Sequence, residues 1–351
     1  MHQEIELKLQ LYPESISSIM SFLHKYGQPQ KSFLINTYYD SPDHLLSKNK
    51  MGLRIRQQDK NLTLTLKTEG EIVAGLHTRP EYNIELDKDE VDLERLTKTY
   101  SINMPCSQDQ IQSVFRTDFN RSIWLVKLEN NAEIEVALDE GKILAKNKQT
   151  PICELELELK QGNVNDLFDF VRLLPLEHLF FCSSSKAKRG YLLAEISALK
   201  YQDWSKIWNN FSNLANQYKI EELLKIEQTL IEDLFLFDKA YFIENSSHTI
   251  EYIMSFFNIF NFYKENAYLI TDKIETLPPM QQQYFEQNLL MELVKDNQAV
   301  YQGIKNIILQ HSQSKDNQQA IENLLALLSS KEQNLRLLAL MILNINSNKE
   351  E

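Results

Sequence analysis

Alternation of apolar with charged positions dominates the first 160 residues of the chain. Read as a strand, Gln3-Glu4-Ile5-Glu6-Leu7-Lys8-Leu9 places Glu4, Glu6 and Lys8 on one face and Ile5, Leu7 and Leu9 on the other. The design recurs in Leu53-Arg54-Ile55-Arg56, in Leu62 to Lys67, and in Arg79-Pro80-Glu81-Tyr82-Asn83-Ile84-Glu85-Leu86. It returns with carboxylates alone in Glu133 to Asp139 and Glu154 to Leu159. On solvent-facing strands acids and bases would be interspersed. Here they are sorted by strand into acidic and basic pairs, so the charged faces are expected to meet around a shared polyanion and metal site. Antiparallel strands with two unlike faces can close into a barrel, and the charged face is expected inside, in a wet lumen that relieves the cost of burying charge.

The remaining elements follow from period and punctuation. Pro13 to Tyr26 has helical spacing, with Pro13 near its start and Gly27 past its end. Residues 33–39 read as a strand closed by Asp40-Ser41-Pro42-Asp43, and Ile123 to Leu128 as another, with Trp124 on the apolar side. Helices over 13–26 and 165–174 would cover the barrel's apolar exterior. Near residue 200 the pattern changes. Seven of the eight glycines precede it, and from Tyr201 onward amphipathic helices follow one another, roughly seven or eight in number. The fold class is therefore α+β, with one unit over 1–198 and an all-helical unit over 199–351.

Charge narrows the chemistry. A net charge of −12 argues against a general nucleic-acid or anionic-membrane binder, so any phosphate site must be a local basic pocket. Three cysteines, Cys106, Cys153 and Cys182, lack metal spacing and point to a reducing compartment, the cytoplasm. Glu4 and Glu6 stand where a signal peptide would be apolar. The most apolar stretch, Thr249 to Tyr263, is too short to span a bilayer and reads as a buried helix. Oxygen-rich strands suit hard cations such as Mg2+ or Mn2+. His2, His24, His44, His77 and His178 show no zinc-ligand spacing, and His77 is expected at the surface or in a structural role.

These motifs, taken together, resemble the CYTH superfamily of triphosphate tunnel metalloenzymes. The resemblance rests on Glu4-Ile-Glu6-Leu-Lys8, Tyr38-Tyr39-Asp40-Ser41-Pro42-Asp43, Gly52-Leu-Arg54-Ile-Arg56, Lys67 and Arg79-Pro-Glu81. It continues through Thr117-Asp118-Phe119 with Arg121 and Trp124, Glu154-Leu-Glu156-Leu-Glu158, and Lys186-Ala-Lys-Arg189-Gly-Tyr191. The wording of Gly75 to Asn83 looks most like bacterial inorganic triphosphatases that carry a C-terminal helical CHAD domain.

The resemblance implies an eight-stranded tunnel that binds a linear triphosphate with two divalent cations and hydrolyses its terminal anhydride. Glu4, Glu6, Glu154 and Glu156 match the metal carboxylates, and Asp139 is added to them here. Which of Glu133, Glu135, Asp139 and Glu158 reaches the metals is open. Lys8, Arg54, Arg56, Lys67, Arg79, Arg121, Lys186 and Arg189 match the phosphate-binding bases, Glu81 matches the acidic partner of an arginine–glutamate pair, and Arg116 is a further candidate base. An adenylate cyclase, or a nucleoside or thiamine triphosphatase, is the alternative in the same tunnel. The helical unit departs from the CHAD pattern, having one arginine, Arg336, and eleven lysines against twenty acids from residue 201 on. It is read as a structural or dimerising module.

Overall fold

The computed structural model describes residues 2–347 apart from 74–75, 183, 200 and 238. Gly75 of the motifs above lies outside them. The first part of the chain runs β1 (His2–Leu11), α1 (Pro13–Leu23), β2 (Gln30–Asp40), α2 (Leu45–Lys48), β3 (Gly52–Gln58), β4 (Asn61–Lys67), β5 (Glu71–Val73), β6 (Leu76–Leu86), α3 (Leu93–Tyr100), β7 (Gln112–Lys127), β8 (Glu133–Ala145), β9 (Lys148–Gln161), α4 (Val164–Arg172), β10 (Leu179–Phe181) and α5 (Lys186–Leu193). Strand order β1-β9-β8-β7-β2-β3-β4-β6, closed by a β1–β6 pairing, makes an eight-stranded antiparallel barrel, with β10 and β5 as short additions on β1 and β6.

Register carries the charged positions around one inner wall, because residues directly opposite across an antiparallel pair share a face. Glu4 stands opposite Arg79, Lys8 opposite Glu156, Glu154 opposite Asp139, Asp139 opposite Arg121, and Arg56 opposite Asn36. The alternate positions form the outer wall. Leu7, Leu9, Val136, Leu155 and Leu157 are fully buried there, beneath Phe168 and Val171 of α4. A second apolar layer puts Leu93 and Leu96 of α3 and Leu46 of α2 over Leu53, Ile55, Leu64 and Leu66. The covering helices are as expected, with α1 begun by Pro13 and followed by Gly27 at φ 122°, and α4 capped reciprocally by Asn163 and Asp166.

The remainder is helical: α6 (Trp204–Ser212), α7 (Asn216–Leu236), α8 (Lys239–Glu244), α9 (Ser246–Glu265), α10 (Ala267–Glu275), α11 (Pro279–Asn288), α12 (Leu290–Ser314), α13 (Asn317–Leu328) and α14 (Lys331–Ser347). That is nine helices among the described residues rather than seven or eight, because α9 meets α10 at Asn266 and α11 meets α12 at Leu289 with no glycine or proline at either junction. The apolar core beneath α4 continues into α7, α9, α12 and α14. Asn334 of α14 donates to the carbonyls of Leu176 and Leu179, 2.9 and 2.6 Å away, and so ties the helical part to the entry of β10. Arg336 is wholly buried, with Nη1 and Nη2 on the two oxygens of Glu227 at 2.6 and 3.0 Å and Nε on Asn297 at 2.6 Å. The Phe260 and Tyr263 rings lie against its guanidinium. None of the helices among the described residues is long and apolar enough to cross a membrane.

Candidate active site

The barrel encloses a cavity of about 890 Å3, and Glu4, Lys8, Arg54, Arg56, Lys67, Arg79, Glu81, Arg121, Glu156 and Lys186 all reach its wall. Glu6, Asp139, Glu154 and Arg189 lie deeper, joined to that wall by ion pairs. Arg79 binds Glu6 at 2.9 Å, Arg121 binds Asp139 and Glu156 each at 2.6 Å, and Arg189 approaches Glu154 at 3.4 Å. Lys67 bridges Glu4 and Glu81 at 2.6 and 2.7 Å. Lys186, carried in by α5, sits 2.7 Å from Asp139 and 3.1 Å from Glu156 and also touches Glu154.

Two unlike walls result. One holds Asp139, Glu154 and Glu156, whose oxygens lie within 4.8 Å of one another. Glu4 and Glu6 fall outside this trio, paired with Lys67 and Arg79, and Lys8 links Glu6 to it, 3.3 Å from Glu6 and 2.5 Å from Glu156. The other wall is β3, where neither arginine has a carboxylate partner within ion-pair distance among the described residues. Arg56 donates to Asn36 Oδ1 at 3.0 Å, Arg54 reaches only the Tyr38 hydroxyl at 3.5 Å, and Arg54 Nε is buried without a hydrogen bond.

The electrostatics follow this layout. Burial would raise the carboxyl of Glu6, but Lys8, Lys67 and Arg79 outweigh it and hold the group at about 2. Burial is likewise overridden at Glu156, kept well below the carboxylate range by Lys186, Lys8 and Arg121, and at Glu81, held at about 2 by Lys67 and Arg54. Lys8 and Lys186, despite burial, are raised by the facing carboxylates. Arg56 goes the other way: burial and then the neighbouring Arg54 and Arg121 pull it down to about 9. Arg54 beside it is raised instead, despite burial, by Tyr38 and Glu81, so the shortfall of negative charge lies at Arg56.

Some sequence expectations fall elsewhere. Arg116 points away from the lumen, half exposed, and is clamped on Asp118 at 2.5 Å. Its position on β7 has the opposite parity from Arg121. Glu133 pairs with Lys127 near the barrel rim, whereas Glu135 and Glu158 reach the cavity. His77 is not at the surface. It is buried opposite Glu6, lowered to about 4 by burial and by Lys8, and its Nε2 has no partner.

Three further residues stand at the site: Asn36, which no motif singles out, and Tyr38 and Phe119, which the motifs contain without a role. Asn36 is fully buried, accepts from Arg56 and donates to Thr117 at 3.0 Å. Phe119 lies against both Arg121 and Lys186. The alternation Leu34, Asn36, Tyr38 on β2 was the available signal.

A family model for the CYTH domain matches residues 2–191, over half of the chain. The chain belongs to the CYTH family. Along nearly its full length it is 42% identical to the inorganic triphosphatase of Haemophilus influenzae, over 98% of each chain. Among solved structures, a Hippeastrum protein described as an adenylyl cyclase with a dominant triphosphatase activity aligns with 56% of this chain and 97% of its own, at 16% identity and a TM-score of 0.42. An inorganic triphosphatase aligns with 48% of this chain and 81% of its own, at 18% identity and a TM-score of 0.20. Membership in the CYTH family implies dependence on divalent metal, and the carboxylate trio fits such an ion, since a compact set of oxygen donors suits a hard cation.

Proposed function

We propose that this CYTH protein hydrolyses inorganic triphosphate to pyrophosphate and phosphate within the barrel. One observation carries the reading: Arg54 and Arg56, a guanidinium pair with no carboxylate in salt-bridge contact among the described residues, share the cavity with the oxygen trio Asp139, Glu154 and Glu156. An anion with phosphates in series supplies the charge that β3 lacks. The full-length likeness to the Haemophilus influenzae enzyme supports inorganic triphosphate as that anion.

In this mechanism Arg54 and Arg56 bind successive phosphate groups through paired N–H donors, and Lys8, Lys67, Arg79 and Arg121 add positive charge along the chain. Asp139, Glu154 and Glu156 hold divalent cation, with Glu4 and Glu6 as further ligands, and Mg2+ or Mn2+ in two sites is part of the reading. Bound there, the cation supplies Lewis-acid neutralisation of phosphate charge and a lowered pKa for the attacking water. Water adds to the terminal phosphorus as the P–O bond to the central phosphate breaks. The lumen's arginines and lysines hold the charge that develops on the transferring group and on the departing pyrophosphate. Lys186 and Arg189 keep the trio's carboxylates oriented.

The same reading divides the chain at about 198/199 into a catalytic unit and a charge-poor, CHAD-like helical unit, and places the protein in the cytoplasm, in keeping with three unpaired thiols. The test is phosphate release from tripolyphosphate, ATP and thiamine triphosphate side by side, with Mg2+ and with Mn2+, and an assay for cyclic AMP. Tripolyphosphate is expected to be the best substrate. A kcat/KM for ATP at or above that for tripolyphosphate, or efficient cyclic AMP formation, would transfer the assignment to a nucleotide enzyme.

A further inference from the structure

Helix α5 brings Lys186 and Arg189 to the carboxylate trio, yet only part of its surface rests on the barrel. On that side the Tyr191 hydroxyl donates to Asp40 at 3.0 Å, and Gly190 lies so close to Phe115 that a Cβ there would collide with the ring. Another part of α5 meets the helical half. Lys188 Nζ lies 2.9 Å from Glu232 on α7, and one turn further along α7 the Phe235 ring covers the Arg189 guanidinium at 5.2 Å. The same ring packs edge-on against Phe180 of β10 at 5.5 Å.

We infer that Phe235 and Glu232 of α7 are positioning residues for the tunnel: they hold α5 so that Arg189 stays on Glu154 and Lys186 stays between Asp139 and Glu156. The inference rests on the triphosphatase reading for its substrate. It adds to it a role for the helical half, whose own charges offer no phosphate track. Three features argue for it. Arg189 is anchored at its tip by Glu154 and the Pro151 carbonyl, while the face of its guanidinium is covered from the helical half by Phe235. A guanidinium stacked on a ring loses rotational freedom at little cost in hydration. The Lys188–Glu232 pair fixes the neighbouring turn of the same short helix, so both ties act on α5 at adjacent residues.

The experiment uses the full chain and reads KM and kcat for tripolyphosphate, Mg2+ activation, and melting temperature. Phe235→Ala is expected to raise KM about tenfold while kcat changes much less, since a displaced Arg189 leaves Glu154 free to turn and weakens the trio's hold on the cation that accompanies the substrate. Phe235→Tyr, which keeps the ring, should restore the wild-type KM, whereas Phe235→Leu, which keeps bulk without a π face, should not. In an Arg189→Lys background Phe235→Ala should add less than about twofold, because its effect passes through the guanidinium it no longer meets. Glu232→Gln, of unchanged size, keeps the question open to test if Phe235→Ala folds poorly, and should raise KM in the same direction. Phe257→Ala, which removes a ring packed on Tyr301 elsewhere in the helical half, is the control expected to leave KM unchanged.

A Phe235→Ala enzyme with wild-type KM, or full multiplication of its effect with Arg189→Lys, would overturn the inference. The cycle read in melting temperature tests the 235–189 coupling without turnover, and additive shifts there also count against it. A wild-type chain that leaves tripolyphosphate intact would instead remove the functional reading, and the melting cycle would still decide this one.

Discussion

The guanidinium of Arg121 lies along the carboxylate of Asp139, with Nε on Oδ1 at 2.7 Å and Nη2 on Oδ2 at 2.6 Å. Its Nη2 also reaches Glu156 Oε2 at 2.6 Å. Asp139 has no solvent exposure, so removing Arg121 leaves a buried carboxylate short of its main partner. Arg121→Ala should lower stability by about 3–5 kcal/mol, measured by urea unfolding without metal. An unchanged midpoint would mean that Lys186, Lys8 and Arg189 suffice to neutralise the trio.

Arg56 should behave in the opposite sense. Its neighbours disfavour its charge and no carboxylate is lost with it, so Arg56→Ala should leave the unfolding midpoint unchanged or raise it. The same change should raise KM for tripolyphosphate about tenfold or more, the scale of a charge-assisted contact to phosphate. Stability and binding thus separate at two arginines of one cavity.

Glu156→Gln keeps the side chain's size and removes one anionic oxygen from the trio. The Mg2+ concentration for half-maximal activity should rise about tenfold or more, with a lower kcat. Arg54→Ala, on the opposite wall, should leave metal activation nearly as it is. Equal effects on metal activation from both variants would contradict the two-wall layout.

How much of this could be read beforehand varied by element. The inner face of β1 and the Arg54/Arg56 pair declare themselves because the strand period is short and each motif is local. Arg116 is the place where parity decides: it shares the outward parity of Trp124 on β7, and the β7–β8 register runs without a break between them. His77 gave no such signal, because its burial depends on where β6 meets β1. Nothing local could join Glu227 to Arg336, 109 residues apart, or set Phe235 over Arg189. Those contacts exist only once the helices pack.

Acidity should first strengthen and then weaken the fold. Asp233 and Asp296 are raised from 3.8 to about 6, by burial first. These two groups therefore bind more protons folded than unfolded between those values and stabilise as pH falls through about 6. His77, lowered from 6.5 to about 4, opposes them over the same range and reduces the net rise to about that of one aspartate. Glu6, Glu81 and Glu156 have the reverse shift, so their contribution is present above the ordinary glutamate value of 4.5 and is lost as pH falls from there toward about 2. Melting temperature without metal should therefore peak between about pH 4.5 and 6. Asp233→Asn should flatten the rise on the neutral side.

The helical half should not bind long polyphosphate on its own account. Its single arginine is enclosed by Glu227 and two rings, and the rest of its charge is acidic in balance. Retention of the full chain on immobilised polyphosphate should accordingly disappear in the Arg54→Ala, Arg56→Ala double variant. Retention that survives it would point to a track outside the barrel.

Closure of the barrel through β1 also fixes an order of events during synthesis. Lys8 must wait for Glu156, 148 residues later, which at translation rates of roughly 5–20 residues per second is a delay of roughly seven to thirty seconds. Throughout that interval β1 is a strand without its β9 neighbour, and its Ile5, Leu7 and Leu9 have no outer layer from α4 to lie against. Glu4, Glu6 and Lys8 keep such a nascent strand hydrated and discourage it from pairing with another chain. The charges that later line the cavity thus act first as a safeguard against aggregation on the ribosome, before there is a cavity to line.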